Sequence, residues 1–434
     1  QEAAQRFPTG VPVILGLVPG TPLDEVRDRL VNVGASVSWI SSDASVPQIG
    51  LRMPSQKMAG VTAAVSDLES LVWADLQPPL RLHNSASVWR CQSGRPADFP
   101  IFDQGIYGTD QVVGVIDTGL DVDHCMFDDP IHGFPASNGS TGTAISPDHR
   151  KVLAVDFYWD QDWPDPDRYA WDDHSHGTHV AGSVAGDIGG DGIHQLADGM
   201  APAAKLVIQD GGFAINACSD LPGLGCPLRP LEPVLQQAYD QGARIYSNSW
   251  GDEEDSWPLN RYTERTADVD RFVWNHRDVV VFFSAGNAGR GGDDTVASPS
   301  IGKNVVSVGA TEHGDVDPPC VTAFSSRGWT HDGRIKPDLL APGSKVVSPL
   351  SDLDTETNNC DSSAKSGTSM ACPTAAGLAA LVREYYEDGF YPDGMADTNA
   401  GFSPTGALIK ATLIGSAVDV STLGCTDVDP IPSR

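Results

Sequence analysis

The sequence predicts an α/β protein with a mostly parallel sheet flanked by helices on both faces, preceded by a small α+β module. From about residue 111 onward, continuous apolar runs such as QVVGVID and VVVFF alternate with helical stretches such as PVLQQAYDQG. Such runs are typical of parallel strands buried on both faces. Residues 11–76 follow another pattern, with short strands and two helices, which predicts the separate first module.

Within residues 11–76, VPVILGLV is predicted to be a buried strand, and Thr21 is predicted to cap a helix that ends at Gly34. ASVSWI and VPQIGLRM are the next two strands. A second helix ends near Val65, and LESLVWADL closes the module with a strand. This β-α-β-β-α-β order is typical of a ferredoxin-like sandwich.

Residues 77–100 are rich in turn formers and polar side chains, which predicts a linker and a place for proteolytic processing. We therefore expect a first domain at 1–83 and a second at 84–434. The second domain has predicted strands at QVVGVIDTGL, AKLVIQD, ARIYSNSW, VVVFFSAGN and NVVSVGA. Functional side chains in such sheets gather at the carboxyl ends of strands.

The chain of 434 residues is strongly acidic, with 58 Asp and Glu against 28 Lys and Arg and a net charge of -30. This field repels nucleic acids and anionic lipids, so we expect neither as a partner. No apolar run is long enough to span a bilayer. The chain begins at Gln1, so we expect a processed product.

The eight cysteines indicate an oxidising compartment. Cys218 and Cys226 flank a loop rich in proline and glycine, which predicts a local disulfide bond. No CxxC pattern is present, so structural zinc is not expected.

Residues 365–377, KSGTSMACPTAAG, offer several nucleophiles, including Ser369 and Cys372, at the start of a predicted helix. Three segments elsewhere carry possible partners: Asp117 ends an apolar strand, His176 lies in HSHGTHVAG, and Asn287 lies in SAGN. Asp117 and Asn287 have a structural alternative, since Asp and Asn are common in turns. Cys372 could equally be a packing residue on the buried face of its helix. Together, an acid, an imidazole, a hydroxyl and an amide donor supply every role of acyl transfer.

A metal site is the rival hypothesis for the histidines. His174, His176 and His179 cluster with two aspartates, which could ligate a metal. However, no His-Glu-x-x-His motif is present, and His176 and His179 are three residues apart instead of four.

Four motifs in order resemble those of the subtilisin-like serine proteases: VIDTGLD, HGTHVAG, SAGN and SGTSMACP. The resemblance covers about residues 105–420, and FSSRGWTHDGRIKPDLLAPG is most similar to the KP-43-like alkaline protease subgroup. It implies a subtilisin-like fold. It also implies that Asp117 orients the imidazole, that His176 is the general base and then the acid, and that Ser369 is the nucleophile. Asn287 and the Ser369 backbone N–H would form the oxyanion hole.

The resemblance also implies two walls of a substrate cleft, formed by Ser249, Trp250, Gly251, Ser284, Ala285 and Gly286. The first module resembles a prodomain that acts as folding chaperone and inhibitor. No cofactor is expected for the chemistry. Structural calcium is possible, with residues 160–173 and Asp293-Asp294 as candidate ligands or, equally, as solvated acidic loops.

We therefore expect an extracellular, monomeric serine endopeptidase that acts on proteins or peptides and interacts with its own first module. Two alternatives remain open. One is a metal-dependent hydrolase that uses His174, His176 and His179, and the other is a non-catalytic binding protein on the same fold.

Overall fold

The computed structural model describes residues 11–41, 47–54, 56–76, 84–139, 141–158, 175–211, 231–252, 259–313, 319–352 and 357–420. The chain divides into two compact units, Gln1–Arg81 and Leu82–Arg434, which are described separately. No helix in the described ranges is long and apolar enough to cross a membrane.

The first unit has the predicted β-α-β-β-α-β order. Its elements are β1 (Val11–Leu17), α1 (Leu23–Asn32), β2 (Ser36–Ser41), β3 (Gln48–Met53), α2 (Met58–Ser66) and β4 (Leu71–Leu76). The four strands form an antiparallel sheet in the order β2-β3-β1-β4. Apolar side chains of this sheet pack with Val26, Leu30 and Val61 in a core of their own.

One detail of the first unit differs from the prediction. The N-cap position of α1 is occupied by Pro22, and no side chain caps this helix. Thr21 instead donates its hydroxyl to the carbonyl oxygen of Val18, at 2.6 Å. The hydroxyl stabilises the preceding turn because that carbonyl lies within reach before the helix begins.

The second unit is built on eight parallel strands in the order β14-β11-β10-β9-β5-β8-β7-β6. Their bounds are β5 (Val112–Asp117), β6 (Ala136–Asn138), β7 (Val152–Phe157), β8 (Lys205–Asp210), β9 (Ile245–Asn248), β10 (Val280–Ser284), β11 (Val306–Thr311) and β14 (Leu339–Pro342). Two short antiparallel pairs join β12 (Gly328–Trp329) to β13 (Ile335–Lys336), and β15 (Val346–Pro349) to β16 (Ser362–Lys365).

Helices cover both faces of this sheet, as predicted. They are α3 (Asn84–Gln92), α4 (His176–Ala185), α5 (Leu231–Asp240), α6 (Glu264–Asn275), α7 (Thr368–Glu387) and α8 (Gly406–Ser416). Side chains along β5 alternate between the two layers, with Val113 and Val115 in the core under α4 and α7, and Ile116 in the core under α5 and α6. This alternation explains why the strand is apolar throughout.

The predicted linker at 77–100 is wrong over part of its length, because residues 84–92 form α3. Val88 and Trp89 are buried at 1% and 5% exposure, and the helix packs against β14 and β15. The sequence did not predict this helix, because polar residues surround these two buried side chains. Residues 77–83 lie outside the described ranges.

A disulfide bond joins Cys125 to Cys360 across 235 residues. Cys320 is also disulfide-bonded, whereas Cys91 and Cys372 are free thiols. The predicted pair Cys218 and Cys226 falls outside the described ranges.

Candidate active site

Asp117 is the last residue of β5, at the carboxyl edge of the sheet. Its side chain is only 2% exposed. The Thr118 backbone N–H donates to Oδ1 of Asp117 at 2.9 Å, which offsets part of the cost of burying the carboxylate. The strand therefore presents a buried, oriented acid at the edge where functional groups of parallel sheets gather.

His176 is the first residue of α4 and contacts Asp117 directly. Its Nδ1 lies 2.6 Å from Oδ1 of Asp117, while the imidazole keeps 29% of its surface exposed. Because the carboxylate accepts a hydrogen bond, Nδ1 carries the proton and Nε2 is left as a base.

The close approach of α4 to β5 depends on Gly177. A Cβ there would lie 2.2 Å from the carbonyl oxygen of Gly119, so only glycine fits. The Gly177 backbone N–H donates to the Thr118 hydroxyl at 2.9 Å. Thr118 thus braces both members of the Asp117–His176 pair, a role that the Asp-Thr-Gly motif alone did not reveal.

Ser369 lies in the first turn of α7 and is half-buried. Its hydroxyl donates to the carbonyl oxygen of Ser249 at 3.1 Å, and the Ser249 hydroxyl donates to the carbonyl oxygen of Ser369 at 2.8 Å. Ser249 directly follows β9, which pairs with β5. These contacts bring the start of α7 to the sheet edge that carries Asp117.

Asn287 is held by the residue before Ser369. Its Oδ1 accepts from the Thr368 backbone N–H at 2.9 Å and from the Thr368 hydroxyl at 3.2 Å. These two bonds orient the amide, with Oδ1 toward Thr368 and Nδ2 as its donor. A donor fixed beside a helix N-terminus is suited to stabilise a developing oxyanion.

The two predicted cleft walls follow neighbouring strands, since Ser249-Trp250-Gly251 comes after β9 and Ser284-Ala285-Gly286 ends and follows β10. Gly286 has a φ of 106°, which suits glycine, and its N–H donates to the Thr368 hydroxyl at 3.2 Å.

Trp250 has a structural role that the sequence did not indicate. Its indole nitrogen donates to the carbonyl oxygen of Ile116 at 3.1 Å, and its ring meets Phe283 edge-on with the centroids 5.2 Å apart. The side chain ties one predicted wall to the strand that carries the candidate acid.

The geometry of the described histidines does not favour a metal site. His176 directs Nδ1 at Asp117, whereas Nε2 of the buried His179 lies 3.0 and 3.1 Å from the carbonyl oxygens of Val346 and Ser363. Burial lowers the pKa of His179 to about 3, so it is a neutral donor to these carbonyls. His174 falls outside the described ranges.

Of the two acidic segments suggested as calcium ligands, the structure describes one. Residues 160–173 lie outside the described ranges. Asp293 pairs with Arg327 at 3.5 Å, and Asp294 accepts from the Trp329 backbone N–H at 3.0 Å. In the described ranges, no group of three or more His, Cys, Asp or Glu side chains is arranged for a metal ion.

Cys372 is buried, as the sequence predicts for a packing residue. It has no exposed surface, its thiol donates to the carbonyl oxygen of Asn248 at 3.5 Å, and burial raises its pKa to about 12. A thiol in this state is a poor nucleophile.

We expect Cys372→Ser to keep most of the hydrolytic activity, because a serine hydroxyl can make the same bond to the Asn248 carbonyl. Steady-state kinetics on a peptide substrate would measure this, with the melting temperature recorded beside it. Near-total loss of activity in a folded variant would give the thiol a chemical role.

A model of the subtilase family matches residues 108–429. The chain is 27% identical over 394 residues to "Serine protease/ABC transporter B family protein tagD" of Dictyostelium discoideum, a match covering 71% of this chain and 20% of that protein. It is 34% identical over 237 residues to serine protease AprX of Bacillus subtilis (strain 168), covering 50% of each. The chain therefore spans half or less of these relatives.

Among solved structures, the prenylagaramide maturation protease PagA aligns with a TM-score of 0.47 at 19% identity, covering 74% of this chain and 87% of that one.

Proposed function

The chain belongs to the subtilase family, and from this premise we propose that it is a secreted serine endopeptidase that hydrolyses peptide bonds through Asp117, His176 and Ser369. The observation that carries the proposal is the 2.6 Å contact between the buried Asp117 carboxylate and Nδ1 of His176. An ionised acid on Nδ1 leaves Nε2 ready to accept a proton, which is the state that a general base requires.

In the proposed reaction, Nε2 of His176 takes the proton from the Ser369 hydroxyl as its oxygen attacks the substrate carbonyl. Negative charge then develops on the carbonyl oxygen. Nδ2 of Asn287 and the Ser369 backbone N–H donate to that oxygen. His176 next gives its proton to the leaving amine, and a water molecule repeats the sequence to release the acid product.

We assign Ser249, Trp250 and Gly251 to one wall of the substrate cleft, and Ser284, Ala285 and Gly286 to the other. Support comes from their positions after β9 and β10, and from the hydrogen bonds that join Ser249 to Ser369. An extended substrate would pair its backbone with these segments, as a strand pairs with a sheet edge.

We assign the first unit the role of a prodomain, which assists folding and inhibits the enzyme until it is cleaved. Its separate core and four-stranded antiparallel sheet support this role. The disulfide-bonded Cys125, Cys320 and Cys360 support secretion. FSSRGWTHDGRIKPDLLAPG supports a place near the KP-43-like subgroup.

A fluorophosphonate tests the chemistry, because an activated serine oxygen attacks its phosphorus, fluoride leaves, and the phosphonyl group stays on the serine. We expect one label per chain, on Ser369 in peptide mass spectrometry, and loss of activity in proportion to labelling. We also expect 1,10-phenanthroline, a ligand for transition metals, to leave the rate unchanged. Unlabelled Ser369 with inhibition by phenanthroline would favour the metal hydrolase.

A further inference from the structure

The residue before the candidate base has an unusual backbone conformation. Ser175 has a φ of 51° and a ψ of 27°, in the left-handed region that residues other than glycine rarely adopt. It is 6% exposed and directly precedes His176, the first residue of α4. Such a conformation persists only where contacts with the rest of the chain hold it. The direction in which α4 presents His176 therefore depends on the groups that hold Ser175.

Two contacts from the segment 351–365 hold Ser175. The Ser351 backbone N–H donates to the Ser175 hydroxyl at 2.7 Å. Nζ of Lys365, at the end of β16, donates to the Ser175 carbonyl oxygen at 2.6 Å. A hydrogen bond from an ionised donor is stronger than one between neutral groups. The lysine thus makes the stronger of these two contacts, and it makes it to the backbone itself.

Lys365 belongs to a pair of strands, β15 and β16, that packs along α4. Nε2 of His179 donates to a carbonyl oxygen in each strand of this pair. One helical turn further along, the hydroxyls of Ser183 and Ser348 lie 3.2 Å apart. Lys365 extends this set of contacts to the residue before the helix. The strand pair therefore fixes α4 at its start as well as along its length.

The same strand leads directly to the candidate nucleophile. Lys365 is the last residue of β16, and Ser369 follows four residues later in the first turn of α7. Between them, the Gly367 backbone N–H donates to the Gly343 carbonyl oxygen at 2.8 Å. The chain thus joins the group that holds Ser175 to the candidate nucleophile through a short segment that is itself hydrogen-bonded.

Helix stability does not account for a lysine at this place. The N-terminus of a helix carries a partial positive charge, so a nearby ammonium group is unfavourable there. The charge of Lys365 does act on α4, since burial, followed by this charge, lowers the pKa of His179 to about 3. The contact with the Ser175 carbonyl is instead explained by its effect on the backbone that leads into the helix.

We propose that Lys365 is a positioning residue that sets the orientation of His176, acting through the carbonyl oxygen of Ser175. This inference rests on the proposed function, in which Nε2 of His176 takes the proton of Ser369. Asp117 holds the imidazole at Nδ1, and Lys365 holds the backbone from which the imidazole projects. Proton transfer requires its two heavy atoms within hydrogen-bond distance, so a small shift at the start of α4 slows it.

The test compares the full chain with its Lys365→Met, Lys365→Arg and Lys345→Met variants. Methionine keeps an unbranched apolar side chain and removes the charge and the donor, whereas arginine keeps both. Lys345 is exposed and directly precedes β15, so its change controls for the loss of one charge beside the same strands. A small alkyl fluorophosphonate reports two quantities. The final label per chain counts competent sites, and the labelling rate constant measures the activation of Ser369.

For Lys365→Met we expect kcat and the labelling rate constant to fall together by about tenfold, with KM changed by less than about twofold. The final label per chain and the melting temperature should stay near those of the parent. Lys365→Arg should recover most of both rates, because a guanidinium can also donate to the Ser175 carbonyl. Lys345→Met should keep the rates of the parent.

An unchanged labelling rate in Lys365→Met would overturn the proposal, as would an equal fall in Lys345→Met. A final label that falls in proportion to activity would also overturn it, because the lysine would then only stabilise the fold. A raised KM with an unchanged labelling rate would place Lys365 against the substrate instead. Absence of labelling in the parent would overturn the proposed function, and this inference with it.

Discussion

Ser369→Ala is expected to lower kcat by about 10⁶-fold, with KM little changed. The size of this loss is the one known for subtilisin, a member of the same family. The hydroxyl oxygen is the proposed bond-forming atom, and the Cys372 thiol cannot replace it, because that thiol is buried with a raised pKa. The remaining rate would come from the oxyanion donors and substrate binding.

The fold should tolerate this change. Among the residues that the structure describes, the Ser369 hydroxyl makes one hydrogen bond, to the Ser249 carbonyl, and the reciprocal bond from the Ser249 hydroxyl to the Ser369 carbonyl is kept. We expect a stability loss of about 1 kcal/mol or less.

Casein digestion, the melting temperature and N-terminal analysis of the purified chain would be compared between the variant and the parent. The variant should also lose any cleavage within residues 77–90, since we attribute that cleavage to the enzyme itself. A folded variant that still digests casein would contradict the mechanism.

Asp117→Asn is expected to lower kcat by about 10⁴-fold. An amide has nearly the same shape, so the loop can keep its geometry, but an N–H₂ turned toward His176 takes the Oδ1 position that now accepts from the Thr118 N–H. A neutral group no longer stabilises the imidazolium that forms on His176, and its N–H₂ can also hold the imidazole in the wrong tautomer. KM should change little, because Asp117 is buried behind His176.

Kinetics with a peptide substrate and the rate of fluorophosphonate labelling would both fall in this variant, while its melting temperature stays near that of the parent. Asp103→Asn, an exposed change of the same kind, controls for net charge. Activity within tenfold of the parent would contradict the role given to Asp117.

The main elements of the fold were predictable because their signals are local. Val113 and Val115 lie on one face of β5 and Ile116 on the other, because successive side chains of a strand point to opposite faces. A short apolar run is enough to predict this arrangement. The order of the strands in the sheet was not predictable from such signals. The helix α3 was missed because its buried face rests on few residues, among them Val88 and Trp89, within a polar stretch.

The candidate site, like the fold, was predictable only in part. Asp117, His176, Asn287 and Ser369 stand in short motifs whose residue types already suggest chemistry. The groups that support them do not, since Thr118, Ser249 and Thr368 act through hydrogen bonds to partners far away in sequence.

The loop after β5, which contains Asp121 and Asp123, is a further case. Asp121 and Asp123 are both buried, and Asp121 accepts hydrogen bonds from Asp352 and Asn359, which lie more than two hundred positions along the chain. Only the folded chain reveals that Oδ1 of Asp121 and both carboxylate oxygens of Asp123 are buried without a hydrogen-bond partner among the described residues.

The Cys125–Cys360 bond determines what self-cleavage by the proposed protease would produce. Asp117 lies before the first of these cysteines and Ser369 after the second, whereas His176 and Asn287 lie between them. A single autolytic cut anywhere from 126 to 359 would therefore leave both fragments covalently joined, with all four residues on one molecule. Such a nicked chain would run as two fragments on a reducing gel and as one species on a non-reducing gel. The disulfide bond would hold the two fragments together after the cut.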